Sequence, residues 1–388
     1  SLLFDKSVEI KNLANVKDVD TMLTLLQSLG KKIVLSKNKK SVKIYNIKVN
    51  KVFASYSIVK TMRAGILVLG PLLARYSKAK VSLPGGCAIG TRPIDIHLKA
   101  LSKLGVKYKL VQGYVYAEAP KGLVGAKIKF PKISVGATEN LIIAASLAKG
   151  QTVLSNCAIE PEIKDLVNFL NKMGCKINWI GKRTVKILGV KNLNEVNYKI
   201  MPDRIEAGTY LIAAAITKGK IEILGINPQI IRTEIDILKK VGAKIKLKNN
   251  RITIQGNKKI KNINIKTAPY PGFPTDLQAQ MMVLLCKANK RSVIREKIFE
   301  NRFMHVSELN RMGAKIKIKG NKAMIEGNTK FEGAELMATD LRASVSLILA
   351  ALTSKSKSKI NRIYHLDRGY EQIEIKLKKI GAKIKRLA

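Results

Sequence analysis

Leu238-KKVGAKIK, Leu309-NRMGAKIK and Leu377-KKIGAKIK are three copies of one pattern, and Leu25-LQSLGKKIV, Leu101-SKLGVKYK and Phe169-LNKMGCKIN are looser copies of it. Their glycines stand at 30, 105, 174, 242, 313 and 381, with successive separations of 75, 69, 68, 71 and 68 residues. So regular a spacing marks a repeated structural unit. In each copy, apolar residues at helical spacing lead to a glycine suited to the left-handed C′ position, and the chain beyond alternates as a strand does. Six helix-to-strand passages are therefore expected.

Between these copies recurs a longer, more apolar helix followed by a short basic turn and a strand. Its copies begin near Thr61, Ala137, Arg204, Thr275 and Thr339. A sixth would fall at the N-terminus, where Ser1-LLFDKSVEIKN resembles the helix tail and strand of Ser146-LAKGQTVLSN, so the first unit is expected to be incomplete. Units that hold both periods predict an α/β fold, divided three and three. Proline at Met201-Pro202-Asp203 marks the crossing point, giving domains 1–201 and 202–388 with a ligand cleft expected between them.

Composition narrows the function. Apolar residues make up 46% of the 388, enough for real cores, and runs such as Leu141 to Ala148 fall short of the roughly 18–20 residues of a membrane helix. No signal or transit peptide is legible, so a cytoplasmic location and no membrane partner are expected. Four separated cysteines and three histidines without metal-ligand spacing predict no disulfide, metal or other cofactor. The net charge of +45 points toward nucleic acid, yet the lysines are spread along the whole chain and aromatics reach only 5%. Nucleic acid is accordingly not the expected partner. Lys, Ile and Asn are abundant together, as codon drift in an A+T-rich sequence would produce.

The first turns of the apolar helices hold Arg63, Ser134-Val135-Gly136, Arg204, Asp276 and Arg342. These types handle anions and protons, and a helix start adds free N–H groups and a positive dipole end. Ordinary capping would place some of the same residues there. The loop Leu83-PGGCAIGTRPIDIH surrounds Cys87 with glycine and proline. It is no Walker loop, because Thr91-Arg92 stands where Lys-Ser/Thr is required. A lone cysteine is commonly a small buried residue, but a glycine-rich loop makes no core, and a nearby arginine favours the thiolate.

Together with that loop, Lys60-TMRAG, Lys132-ISVGAT, Glu160-PEI, Pro202-DRIEAGT, Phe273-PTDLQAQ, Glu300-NRFMHV, Met337-ATDLRAS and Tyr364-HLDRGYE form an ordered series across the chain. The series resembles the UDP-N-acetylglucosamine 1-carboxyvinyltransferase family of enolpyruvyl transferases. The resemblance implies two inside-out α/β barrels of three units each. It also implies the transfer of an enolpyruvyl group from phosphoenolpyruvate to the nucleotide sugar in peptidoglycan synthesis. The sister synthases that act on shikimate 3-phosphate share the fold but differ in their glycine-rich motifs.

The same resemblance implies Cys87 as proton donor, able to form an adduct with phosphoenolpyruvate, and Asp276 as acceptor of the sugar hydroxyl proton. It places Arg92, Arg302, Arg342 and Arg368 around phosphoenolpyruvate. It assigns the nucleotide sugar to Arg63, to Arg92, Pro93, Ile94, Asp95 and Ile96, and to Lys132, Ile133, Ser134 and Val135, with His97 and Ile298 nearby. Asp203, Arg204, Glu160, Glu162 and Asp340 fit the motifs, with structural roles at least as well suited to them. His305 and His365 are expected to be packing residues. Family members also carry an N-terminal Lys-Asn pair whose lysine contacts phosphoenolpyruvate. Its absence from this sequence leaves open the alternative of a UDP-sugar-binding protein without turnover.

Overall fold

The computed structural model describes residues 1–4, 6–46, 51–85 and 94–387. Cys87, Arg92 and Pro93 lie outside them. The chain forms two compact units, divided between Met201 and Pro202.

Among the described residues, the first unit contains three four-stranded sheets built to one plan: a short edge strand runs parallel to a second strand, and two antiparallel strands complete the sheet. Phe53–Ala54, Lys78–Ser82, Tyr114–Glu118 and Lys107–Val111 form one in that order. Lys127–Lys129, Gln151–Ser155, Thr184–Leu188 and Lys176–Gly181 form another. In the third, the edge strand Val196–Lys199 comes from the end of the unit and pairs parallel with Val8–Lys11, which is followed by Ser41–Asn46 and Lys31–Leu35. The last strand thus closes the sheet begun by the first.

The second unit follows this plan fully once, in Asn264–Lys266, Ser292–Arg295, Lys322–Ile325 and Ile316–Lys319. Lys220–Leu224, Arg251–Gln255 and Lys244–Lys248 form a three-stranded version. Glu335–Met337 and Lys359–Asn361 make only the parallel pair. The strand expected after Gly381 is not formed. In the other five copies, the strand after the glycine finds its ladder partner in the strand that follows it, and that partner has no counterpart here among the described residues.

The sheets are outside and the apolar helices inside. A helix that is apolar all round has no face to offer water and must be enclosed. Every residue of Gln278–Cys286 is buried, as are nearly all of Arg204–Thr217 and most of Leu341–Ala351, and these three helices pack against one another. In the first unit, Leu69–Tyr76 packs on Val135–Ala145. Strands supply the outer wall by alternation: Ile252 and Ile254 are fully buried while Arg251 is exposed.

All six repeat glycines have positive φ, from 87° at Gly30 to 107° at Gly242. At Gly242 the Ala243 N–H donates to the Leu238 carbonyl and the Gly242 N–H to Lys239, a Schellman closure that satisfies the helix's last carbonyls. The same pair of bonds recurs at Gly105, Gly174, Gly313 and Gly381. Asn171 and Asn310 add a matching clasp, each bonding both backbone groups of the residue six positions on.

The three core helices of the second unit end together around a cavity of about 350 Å³ lined by Thr217, Lys218, Lys258, Lys287, Leu352 and Thr353. Lysines there complement the negative ends of the helices. The opposite ends of these helices carry the candidate site.

Gly242→Ala would force a Cβ onto a backbone at φ +107°, 3.3 Å from the Lys259 carbonyl oxygen. A loss of about 1–3 kcal/mol is expected, read as a lowered urea midpoint. An unchanged midpoint would show that the glycine repeat is not a conformational requirement.

Candidate active site

Two of the second unit's core helices break a local rule at their starts. Arg204 is the first residue of Arg204–Thr217 and Arg342 the second of Leu341–Ala351, although a cation is disfavoured beside the positive end of a helix dipole. An aspartate cap offsets each. Asp203 accepts from the Ile205 and Glu206 N–H groups at 2.7 and 3.0 Å, and Asp340 accepts from Arg342 and Ala343 at 2.7 and 3.1 Å. Such local conflicts with compensation concentrate at functional sites.

Asp276 occupies the corresponding place ahead of the third helix, in the short Thr275–Leu277 turn. Its Oδ1 accepts from Arg302 at 2.7 Å and its Oδ2 from Arg342 at 3.2 Å. Burial by itself would raise its carboxyl. The charge of Arg342, then Arg302, with the Arg342 hydrogen bond and the more distant Arg204, outweighs burial and holds it well below the usual carboxylate range. Its side chain keeps 40% of its surface accessible, while Arg302 keeps 5%. Two guanidiniums against one carboxylate leave a net positive charge at an accessible spot, which suits an incoming anion.

Arg342 is held from behind. Its Nη1 lies 3.3 Å from the Tyr370 hydroxyl, which also meets Thr209 at 2.9 Å and Gln280 at 3.3 Å. The proton order follows from the donors. Thr209 gives its own hydrogen to the Ile205 carbonyl, so it accepts from Tyr370, and Tyr370 in turn accepts from Gln280 and Arg342. Burial raises the Tyr370 phenol above its ordinary range, so it remains a neutral relay. Gln280 also donates to the Asp276 carbonyl at 3.0 Å.

Glu296, 2% exposed, anchors the other side. It accepts from Thr267 at 2.7 Å, from Thr275 at 2.9 Å, and from the N–H groups of Ile298 and Phe299 at 2.8 and 3.3 Å. The turn carrying Ile298 is thereby tied to the residue next to Asp276. Arg204 is engaged with Glu234 at 3.4 Å in a buried pair. Arg368 ends the Ile363–Arg368 turn, two residues before Tyr370. His305 is buried, and burial lowers its imidazole to about 4.

In the first unit, Arg63 opens the Arg63–Val68 turn and His97 lies in the first turn of Asp95–Lys103. Ser134 caps Val135–Ala145, accepting from the Ala137 N–H at 3.3 Å. Lys132 and Val135 are exposed, Ile133 is half-buried, and Asp95 is exposed beside Lys99 at 3.9 Å. Ile94 and Ile96 belong to the hydrophobic core. His97 is 5% exposed and contacts Asn140. Burial first, then Arg63, lowers its imidazole to about 4 against a smaller opposing effect of Asp95. Glu160 sits at the N-cap of Pro161–Lys172 and Glu162 in its first turn.

Cys157, Cys175 and Cys286 are buried, and burial pushes each thiol up, to about 12 for Cys157 and Cys286. None of these three is a nucleophile at neutral pH. The structure brings Asp276, Arg302 and Arg342 into contact. Sequence reading missed Tyr370, Thr209, Gln280, Glu296 and Asn140. The first three lie inside quoted motifs but act only through tertiary contact, and Glu296 is one charged residue among many.

Comparison with known proteins identifies the family and the fold. Residues 1–377 match the family described as EPSP synthase (3-phosphoshikimate 1-carboxyvinyltransferase). A UDP-N-acetylglucosamine 1-carboxyvinyltransferase of Pelagibacter ubique is 75% identical over 387 residues, 100% of this chain and 92% of the relative. The enzymes of that name from Geobacter metallireducens and Coxiella burnetii are 54% and 49% identical, covering 98% and 100% of this chain and 90% and 89% of their own. Among solved structures, the enolpyruvyl transferase NikO from Streptomyces tendae superposes with a TM-score of 0.88 at 21% identity, over 99% of this chain and 91% of that one. EPSP synthase from Acinetobacter baumannii gives 0.74 at 18%, over 98% and 92%. At those identities the superpositions establish the shared α/β fold. With a family match over nearly its whole length and a relative at 75% identity, this chain belongs to the EPSP synthase family of enolpyruvyl transferases, in the group formed by the UDP-N-acetylglucosamine 1-carboxyvinyltransferases.

Proposed function

We propose that this protein transfers the enolpyruvyl group of phosphoenolpyruvate to the 3′-hydroxyl of UDP-N-acetylglucosamine and releases phosphate, supplying a precursor of peptidoglycan from the cytoplasm. The observation that carries this reading is Asp276 held between Arg302 and Arg342 at the helix starts of the second unit. Such a site can take up an anion and a proton in one place.

The chemistry has two stages. Phosphoenolpyruvate gains a proton at C3 while C2 bonds to the sugar oxygen, whose proton leaves; the resulting ketal then loses a C3 proton and the phosphate to restore the double bond. Cys87 is assigned the C3 proton and Asp276 the hydroxyl proton, Cys87 on the strength of its loop motif, since it lies outside the described residues. Arg302 and Arg342, with Arg92 and Arg368, are assigned to the phosphate and carboxylate of phosphoenolpyruvate. Arg63, Pro93, Ile94, Asp95, Ile96, His97, Lys132 to Val135 and Ile298 are assigned to the nucleotide sugar.

A carboxylate gripped by two guanidiniums is a weak base, so the grip must loosen for Asp276 to act. Phosphoenolpyruvate supplies the means. Its anionic groups compete for Arg302 and Arg342 and bring negative charge close to Asp276, and both effects raise the carboxyl toward a useful basicity. Substrate binding thereby switches on the base.

Phosphate release from phosphoenolpyruvate is expected to require UDP-N-acetylglucosamine, to fail with shikimate 3-phosphate, and to be lost in Cys87→Ser. Release that shikimate 3-phosphate supports instead would overturn the assignment of the acceptor. Arg342→Lys keeps the charge but loses the planar fork and is expected to lower kcat/KM for phosphoenolpyruvate about 10- to 100-fold. Tyr370→Phe strips Gln280 and Arg342 of an acceptor. It should cost about 1–3 kcal/mol in urea unfolding and raise the KM for phosphoenolpyruvate more than that for the sugar. Equal effects on both KM values would contradict a role in placing Arg342.

A further inference from the structure

Asn140 reaches three elements of the first unit at once. Its Oδ1 lies 2.7 Å from the Gly70 N–H, and its Nδ2 lies 3.2 Å from the Ile66 carbonyl oxygen and 3.1 Å from His97 Nδ1. All these groups are buried, and Asn140 is fully so. The backbone resolves the amide's orientation: Gly70 N–H can only donate and the Ile66 carbonyl can only accept, so the oxygen faces the first and the NH2 the second. The NH2 group therefore also faces His97. A donor there needs a lone pair on Nδ1, which places the ring proton on Nε2.

We propose that Asn140 is a positioning residue that fixes His97 in its Nε2–H tautomer, so that a neutral ring donor is presented at the start of the Val135–Ala145 helix to the diphosphate of the nucleotide sugar. This rests on the proposed function for the identity of the ligand, and on the structure for the tautomer. The Cε1–Nε2 edge of the ring lies against Gly136, where an added Cβ would stand 3.3 Å from Cε1 and 3.5 Å from Nε2. Among the described residues, the hydrogen bond of His97 is made by Nδ1, to Asn140. Gly136 is the second residue of that helix, so the ring edge lies at its first turn, and Arg63 is near enough to disfavour a charged ring. With its imidazole lowered to about 4, His97 is neutral at pH 7, and the choice between its two tautomers decides whether Nε2 gives or takes a hydrogen bond. Phosphate oxygens can only accept, so the other tautomer would set lone pair against lone pair.

Gly70 belongs to the same device. A Cβ at that position would collide with the Asn140 side chain, so glycine is what lets the amide reach the Gly70 N–H. Asp at position 140 would still accept from Gly70 but would present oxygen to His97 and to the Ile66 carbonyl, drawing the ring proton to Nδ1.

The test is nitrogen NMR of the imidazole rings in the full chain, which holds three histidines, so that comparison with His97→Gln assigns the signal. The wild-type ring should show an unprotonated Nδ1 and a protonated Nε2, and added UDP-N-acetylglucosamine should move the Nε2 signal more than the Nδ1 signal. Asn140→Asp should shift the proton to Nδ1 and raise the KM for the sugar about 10-fold or more, with a smaller change in kcat. A wild-type ring protonated on Nδ1 would overturn the proposal without any variant, which covers the case in which Asn140→Asp fails to fold. An Asn140→Asp protein with raised KM and an unmoved proton would make Asn140 merely structural and also overturn it. If the wild-type enzyme turns the sugar over while the sugar leaves Nε2 unmoved, the ligand assignment fails and the function stands. If the enzyme releases no phosphate with the sugar present, the proposed function fails and the tautomer remains decided by the spectrum.

Discussion

The fold depends on enclosing predominantly apolar helices that carry no continuous polar face. Gln278–Cys286 has no polar face to turn outward, and its neighbours Arg204–Thr217 and Leu341–Ala351 have little more. Such helices persist in water only when surrounded, and the sheets of each repeat supply the surround with one face inward and lysine-rich residues outward. Three repeats contribute strands to the wall around the helices of the second unit. The first unit obtains its third full sheet by bringing Val196–Lys199 back to Val8–Lys11.

Enclosure has an electrostatic consequence. Helices that pack side by side in one direction gather their positive starts at one end and their negative ends at the other. In the second unit the negative ends meet Lys218, Lys258 and Lys287, and the positive starts meet Asp203, Asp276 and Asp340. Asp203 and Asp340 are spent on caps. Asp276 is spent on two arginines, and it is the one of the three with its carboxylate free of backbone duty and open to solvent. The same packing that stabilises the unit thus leaves an anion-binding carboxylate–guanidinium cluster at its end.

Buried polar side chains give that cluster its geometry. Tyr370, Thr209 and Gln280 hold Arg342 through one hydroxyl, and Glu296 holds the turn of Ile298 and the segment of Asp276 through one carboxylate. Asn140 does comparable work in the first unit with a single amide. In each case several elements distant in sequence share one polar group, so loosening any one of them would misplace the site.

Periodicity in the sequence determined the six repeats, their glycine closures and the apolar helices, because helix and strand periods and the left-handed C′ position are local properties of the chain. Ordered motifs determined the family and singled out Asp276, Arg302 and Arg342. Tertiary structure alone decided that Ile94 and Ile96 serve the core, that Asp276 begins as an ion-paired and weakly basic carboxylate, and that Tyr370, Glu296 and Asn140 matter. Those outcomes depend on which buried donors and acceptors meet across segments far apart in the chain, and no spacing along a sequence encodes such a meeting.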